Sequence, residues 1–403
     1  MNGRKAFVVG LSLAGCLATY GACSVGAIDY TNLACDDGAC PSPWLCTHGR
    51  CSLSVADASG TTDARADVAR DGMVAGDGGC TDAAPTRCGT ACTNTAVDTH
   101  NCGVCGHDCL GTPCAVSMCT PLVLAAGLVQ PHGIALDDAN VYFTTYDNLT
   151  ANGAVYRVPK GGGKVVTLAT GQSAPSIPVV AGSSLYWTNN GLGQATGSVE
   201  SIALDGGARQ TRTSGQPGPF GLALSATTIY IAMNNADFIG TEGLVGDGGL
   251  GSLATTSAPF WVALNDTTMF VTLQTMVARA SLDGGPFTPI ATGLSEGWGL
   301  AIDGTNAYFS DDMASTVAQV PLDGGAVVTL SSVAGAAPRG IAVDQHFVYW
   351  VERYGGNVSK VPIGGGQVTT LAMDQSEPNC LAIDETSVYW TDFSGNAIMK
   401  VAK

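Results

Sequence analysis

Charge is scarce in this 403-residue chain, and positive charge is scarcest. Lys and Arg number 17 against 33 Asp and Glu, charged residues make up only 12%, and the formal net charge is −16. A nucleic-acid binder wants a basic face, and this balance excludes one. Aromatics are only 7% of the chain. No G-x-S-x-G elbow, phosphate-binding loop or Rossmann fingerprint occurs, which removes the common hydrolase and nucleotide-binding classes. Beyond the N-terminus no stretch reads as a membrane span. What is abundant is glycine, at 54 residues, about twice average usage. With 45% apolar residues, that composition favours many short strands and tight turns over long salt-bridged helices. The length exceeds one small domain and suffices for a large buried core.

The chain opens as an export signal does. Arg4 and Lys5 precede an uncharged apolar run from Ala6 to Leu13, followed by Leu13-Ala14-Gly15-Cys16. A basic start, an apolar middle and a small-residue end are the layout of a signal peptide. The LAGC tetrapeptide resembles the lipobox of bacterial lipoproteins. That resemblance implies a signal over residues 1–15, lipidation of Cys16, and outer-membrane sorting, because neither Leu17 nor Ser24 is Asp. Tyr20-Gly21-Ala22-Cys23 offers Cys23 as an alternative, with a signal over 1–22. Plain secretion, and an uncleaved anchor over the uncharged residues 6–28, are the competing readings.

Fourteen of the 15 cysteines precede residue 120, and export makes disulfides their default state. Cys35, Cys40, Cys46 and Cys51 form one group, expected as a module over 24–51. Cys80, Cys88, Cys92, Cys102, Cys105, Cys109, Cys114 and Cys119 form a second, over 80–119. Segments this short cannot bury enough surface to fold without cross-links. Four cysteines allow 3 pairings and eight allow 105, so connectivity stays open. Between the groups, residues 52–79 are dominated by Ala, Asp and Gly and contain no aromatic, the composition of a solvated linker. Asp63, Asp67 and Asp71 do not match a calcium-loop spacing. Asn101 to Cys109 resembles the cysteine-rich module named after plant stigma-specific proteins, over roughly 88–119. A zinc site at Cys102, Cys105, His107 and Cys109 is the competing reading. Export favours disulfides and no cofactor.

From residue 122 the chain repeats. Segments opening at Pro131, Pro175, Pro219, Pro259, Glu296, Pro338 and Pro378 each place a small residue seven before an aromatic. The pairs are Ala135/Tyr142, Val179/Tyr186, Ala223/Tyr230, Ala263/Phe270, Ala301/Tyr308, Ala342/Tyr349 and Ala382/Tyr389. A third apolar run, a Gly-Gly turn such as Gly162-Gly163 and a fourth run complete six of these units. Gly-Gly between apolar runs marks a hairpin that needs positive φ. Four short strands per unit of about 40 residues is a propeller blade. The last unit ends after three strands, and its fourth is supplied by Leu122 to Ala126. The expected fold is therefore all-β: a seven-bladed β-propeller over 120–403, closed by its N-terminal strand and preceded by small disulfide-rich modules. Blade 3 is the weakest unit, with a poor third strand expected over Ile239–Val245.

Tyr389-Trp390-Thr391-Asp392, with Tyr186-Trp187-Thr188-Asn189, Tyr308-Phe309-Ser310-Asp311 and Tyr349-Trp350-Val351-Glu352, resembles the YWTD propeller repeat of low-density lipoprotein receptors. The resemblance covers 122–403. It implies aromatics packed between blades, an acidic residue tying strands together, and protein ligands bound on one face beside disulfide-rich modules. That family has six blades and this chain has seven repeats; blades 3 and 4 keep only Tyr230 and Phe270 of the motif. The fold transfers, and the ligands do not.

Propeller sites gather at the mouth of the central channel. The residue after each opening Pro, or after Gly297 in the fifth repeat, is expected there: His132, Ser176, Phe220, Phe260, Trp298, Arg339 and Asn379. Three aromatics on one arc against His, Arg and Asn on the other make a generic ligand-site pattern; simple capping of the channel is the plainer alternative. Arg339 and His132 stand two blades apart, so one anionic group can reach both. Gluconolactonase-like propellers hold a divalent metal with Glu, Asn and Asp, a set missing from this ring. Streptogramin lyases use His with a metal, and only His132 and His346 fall in the propeller. Cys380, in a slot that is Gly elsewhere, reads as a buried, inert thiol. The expectation is a monomeric, lipid-anchored protein of the bacterial envelope, or a secreted one. Its propeller binds a cell-surface or secreted protein, peptide or glycan. A metal-dependent hydrolase or lyase centred on His132, and a structural envelope protein, are the alternatives.

Overall fold

The computed structural model describes residue 80 and residues 83–147, 150–193, 195–244 and 249–403, together with the backbone of two short strands at 44–47 and 50–53. The chain divides into two compact units, 1–76 and 77–403. In the first, Trp44–Thr47 pairs antiparallel with Arg50–Leu53. The export signal, Cys16, Cys23, Cys35, Cys40 and nearly all of the linker lie outside the described residues.

The second unit carries seven four-stranded antiparallel sheets, and among the described residues there is no helix. Blades 1 to 6 run over 131–172, 175–216, 219–254, 259–292, 297–332 and 338–372. Blade 7 is built from 378–402 with Leu122–Ala126 as its outermost strand, in the order that closes the ring. Closure by the two ends of the propeller segment removes an exposed sheet edge. Each small/aromatic pair read from the sequence is a directly opposed cross-strand pair in the inner hairpin, from Ala135↔Tyr142 round to Ala382↔Tyr389. Opposed side chains in a hairpin compete for one space, so a large ring is matched by a small partner. Blade 3's third strand is Phe238–Gly243, and its fourth, Gly251–Ala254, is the shortest type in the ring.

Three details recur and hold the blades in register. In blades 1, 2, 4, 5 and 6 a Gly-Gly turn closes the outer hairpin; at Gly324 and Gly325 φ is +92° and +150°, a conformation that side chains with a Cβ rarely adopt. In blades 1, 5, 6 and 7 the motif tyrosine donates its hydroxyl to an Asp five residues earlier: Tyr142 to Asp137 (2.6 Å), Tyr308 to Asp303 (2.7 Å), Tyr349 to Asp344 (2.9 Å) and Tyr389 to Asp384 (2.8 Å). Each of these Asp residues also caps the turn that it opens through backbone N–H groups, an Asx turn. Finally, the Trp rings of blades 2, 6 and 7 are fully buried between sheets, as large apolar rings should be.

The eight-cysteine module is cross-linked Cys80–Cys92, Cys88–Cys105, Cys102–Cys114 and Cys109–Cys119. Every sulfur of the group is in a bond. Cys102, Cys109, Cys114 and Cys119 pack with Leu371, Ala372 and Val401 in one apolar cluster, which seats the module against blades 6 and 7.

Candidate functional site at the channel mouth

The mouth residues stand at the starts of the innermost strands, where the blades approach most closely. A Cβ added to Gly133 would lie 2.2 Å from the carbonyl of Ser176, and one on Gly299 would lie 2.3 Å from that of Arg339. Only glycine fits there. The Thr (or Ser) of the YWTD motif fixes the same backbone. Thr391 Oγ1 accepts from the Cys380 N–H (3.0 Å) and donates to the His132 carbonyl (2.9 Å) of the next blade. Thr144, Thr188, Thr272 and Ser310 donate in the same way to the carbonyls of Ser176, Phe220, Trp298 and Arg339. Blades 3 and 6, with Ala232 and Val351, have no hydroxyl to give. The ring of mouth side chains is thus held by backbone ties between five pairs of blades.

The ring converges on the axis, but not as an open cup. Phe220 meets His132 edge-on at 5.7 Å between centroids, and meets Phe260 and Trp298 at 6.2 and 5.6 Å. Trp261 lies 5.5 Å from Trp298. The three aromatics therefore pack on one another and on His132, filling their side of the channel instead of lining an empty wall. Ser176, with no exposed surface, sits beneath His132, its Oγ 3.5 Å from Nδ1. Phe220, Phe260, Trp298 and Ser176 do not line the cavity that remains.

That cavity, of about 230 Å³, opens on the polar side and is lined by His132, Tyr146, Arg339, Arg353, Asn379 and Phe393. Tyr146 stacks on His132 at 5.0 Å and Phe393 meets it edge-on at 6.5 Å. Arg339 is held tightly: Nε donates to Asp312 at 2.6 Å, Nη1 donates to Asn379 Oδ1 at 3.1 Å, and the guanidinium lies over Trp298 at 4.9 Å. Arg353 is looser, 3.8 Å from Glu377 and stacked over Tyr354. Burial, reinforced by the charges of Arg339 and Arg353, pulls the His132 pKa down to about 3. It is a neutral imidazole throughout the physiological range. Burial pushes the Cys380 thiol up to about 12, so this cysteine is an un-ionised apolar filler.

Tyr146, Arg353 and Phe393 are the lining residues that the sequence reading missed. A signal for them existed: each immediately follows a YWTD tetrapeptide, in the slot that holds Asn190, Asn234, Gln274 and Asp312 in the other blades. The site is thus two concentric rings, one from the inner-strand starts and one from the loops after the second strands. His346 lies elsewhere, in the turn capped by Asp344.

Fold and mouth together define a class, the seven-bladed β-propeller with an axial pocket. Within it, solved structures give particular likenesses. Virginiamycin B lyase from Staphylococcus aureus superimposes with a TM-score of 0.61 at 17% identity, over 70% of this chain and 98% of that one. A streptogramin B lyase gives 0.60 at 18% identity, over 70% and 96%. The computationally designed Ika8 protein gives 0.51 at 13% identity, over 70% and 98%. At such identities the likeness is one of fold. No protein-family model and no curated protein matches the chain.

Proposed function

We propose that this chain is an exported, lipid-anchored surface protein whose propeller is a binding module for a protein, peptide or glycan. The observation that carries the reading is the mouth cavity. It joins a loosely tethered guanidinium (Arg353), a neutral imidazole (His132), an amide (Asn379) and two aromatic edges (Tyr146 and Phe393) at one depression. Its roughly 230 Å³ is below the range of about 300–1,000 Å³ usual for small-molecule sites. That size suits a single side chain or sugar ring projected by a larger partner. Arg353 and Asn379 would meet its polar group, and the aromatic edges its apolar body. Arrays of peptides and glycans probed with the wild type and with Arg353→Ala test this. Binding without turnover that falls roughly ten-fold in the variant supports it. Equal binding by both proteins refutes a role for the mouth.

A second reading, a channel-mouth lyase or hydrolase, draws on the lyase likeness. One of those structures is a catalytically inactive His→Ala form of the lyase with quinupristin, and His132 is the one histidine at this mouth. The donor set does not fit a divalent metal, since two guanidiniums flank the only imidazole and no carboxylate lines the cavity. Turnover of quinupristin that disappears in His132→Ala, or a stoichiometric metal by elemental analysis, would favour this reading over binding. For the anchor, incorporation of a palmitate analogue that is lost in Cys16→Ala and retained in Cys23→Ala is the expected result.

A further inference from the structure

A larger cavity lies away from the mouth, where the disulfide module meets blades 6 and 7. It measures about 770 Å³, within the range of about 300–1,000 Å³ typical of ligand pockets. The module supplies one wall, through Cys102 to His107 and Ser117 to Cys119; the propeller supplies the other, with Phe347, Leu371 and Val401 as its apolar part. Two of its lining residues are lysines, Lys360 and Lys403, and none is Asp or Glu. In a chain with 33 acidic and only 17 basic residues, a cavity so lined is a local reversal of charge.

The two lysines differ. Lys403 is committed, donating to Asp344 at 2.7 Å and lying over Tyr349. Lys360 has no ion pair or hydrogen bond among the described residues, and its ammonium rests over the Phe347 ring at 4.6 Å. Burial holds its pKa below the usual lysine value; the Asp344 charge offsets part of that, and the Lys403 charge adds to it. The one carboxylate that acts on it, Asp344, is bonded to Lys403 instead, and a half-buried ammonium with no directly bonded partner is a cost that a bound anion reduces. Around it Gln367, Thr369 and Thr370 offer polar contacts. On the module side, His107 Nδ1 donates to the Cys102 carbonyl at 2.7 Å, which fixes the ring.

We propose that this cleft is a second ligand site, for a small organic anion: a carboxylate, sulfate or phosphate ester on an apolar body. The anionic group sits at Lys360, and the body lies along Leu371, Val401 and the Cys102–Cys114 and Cys109–Cys119 bridges. The site is independent of the channel mouth and needs both the module and the propeller.

The test uses 8-anilinonaphthalene-1-sulfonate, an aromatic body carrying one sulfonate, with the full-length chain. Titration by fluorescence is expected to show one saturable site that weakens as salt rises. Lys360→Met should bind roughly ten-fold more weakly, while Lys360→Arg keeps most of the affinity. Val104→Asp, on the exposed module wall, adds a repelling charge without touching the core and should also weaken binding several-fold. Displacement by benzoate, phenyl sulfate or phenyl phosphate then ranks the anionic groups. Absence of saturable binding, or equal affinity in wild type, Lys360→Met and Val104→Asp, overturns the proposal. Arg353→Ala, at the mouth, should leave this binding unchanged; a loss there would assign the dye to the other site and overturn it as well.

Discussion

Trp390 Nε1 and Asp392 Oδ1 are buried in blade 7 without hydrogen-bond partners. In blade 6 the same positions hold Trp350 and Glu352, and the indole donates to the longer carboxylate at 3.0 Å; in blade 2 Trp187 donates to Gln172. Aspartate is one methylene too short for that reach. Burial, only partly offset by the Ser376 N–H, pushes the Asp392 carboxyl up to about 6. A carboxyl raised above its unfolded value of about 4 costs stability when ionised. The cost is absent below about pH 4 and is fully present above the folded value near 6. Asp392→Asn should therefore stabilise the protein at pH 8 by on the order of 1–2 kcal/mol and change nothing at pH 4. Calorimetry at both pH values checks it, and a destabilised variant at pH 8 would contradict it. His132 works in the opposite direction on the pH axis. Its folded pKa is depressed to about 3, so its contribution is intact above about 6.5, the unfolded value, and falls as pH drops below that. At this scale the sequence was partly readable. The small/aromatic pairs and the seven mouth positions follow from spacing. The packing of Phe220 against both His132 and Trp298 does not, because side-chain direction across a channel depends on all blades at once.

At the scale of the strand and hairpin, ring closure is the distinctive element. Lysine follows the third strand only in blades 1 and 7, and each reaches the Asp of the preceding blade: Lys160 to Asp384 at 3.0 Å and Lys403 to Asp344 at 2.7 Å. The other blades carry Leu or Ile there, at Leu204, Leu244, Leu282, Leu322 and Ile363. The blade assembled from both ends of the propeller segment is therefore tied by a lysine–aspartate pair on each flank. Burial opposes ionisation of Asp384, and the Thr386 N–H, Lys160 and the Tyr389 hydroxyl outweigh it, holding the carboxyl at about 2. Stability from this pair is present above about pH 4, the unfolded value, and is lost as pH falls towards 2. Lys160→Met should lower stability by about 1–2 kcal/mol at pH 7, and the difference from wild type should vanish near pH 2; thermal unfolding at the two pH values measures it. Thr391→Val should cost about 1–3 kcal/mol, since it strands the buried Cys380 N–H and leaves the His132 carbonyl only the longer bond from Asn379 Nδ2, at 3.4 Å. The YWTD tetrapeptide was legible as a repeat, and the seam between the chain ends followed from counting strands. The Asp that serves both tyrosine and turn went unread, because it is absent from blades 2, 3 and 4 and so breaks the pattern that reveals repeats.

At the scale of the whole molecule, covalent and non-covalent stability are segregated. The described disulfides all lie in residues 80–119, while the propeller holds one cysteine, the buried Cys380. The module has few apolar residues and depends on its bridges; the propeller depends on seven repeated sheets packed face to face. Spacing alone left 105 pairings open, and local hairpins do not decide among them: Cys114 and Cys119 oppose each other in a two-stranded ladder yet bond to Cys102 and Cys109 instead. Reduction should therefore unfold the module and spare the propeller. Proteolysis of the reduced chain is expected to cut within 80–119 and leave a resistant core from about residue 120 onward, with mass spectrometry locating the cuts. Because Cys102, Cys109 and Cys119 lie close enough together to imitate a metal site, the reduced module is also the one state in which zinc could compete; the oxidised protein should carry none at Cys102, Cys105, His107 and Cys109 by elemental analysis. Cys380 should stay unalkylated in the native reduced protein, as its burial and raised pKa require, and become labelled only when the ring opens. If reduction instead exposed Cys380, the module would be holding the propeller closed, and its packing on Leu371 and Ala372 would be a support for the ring.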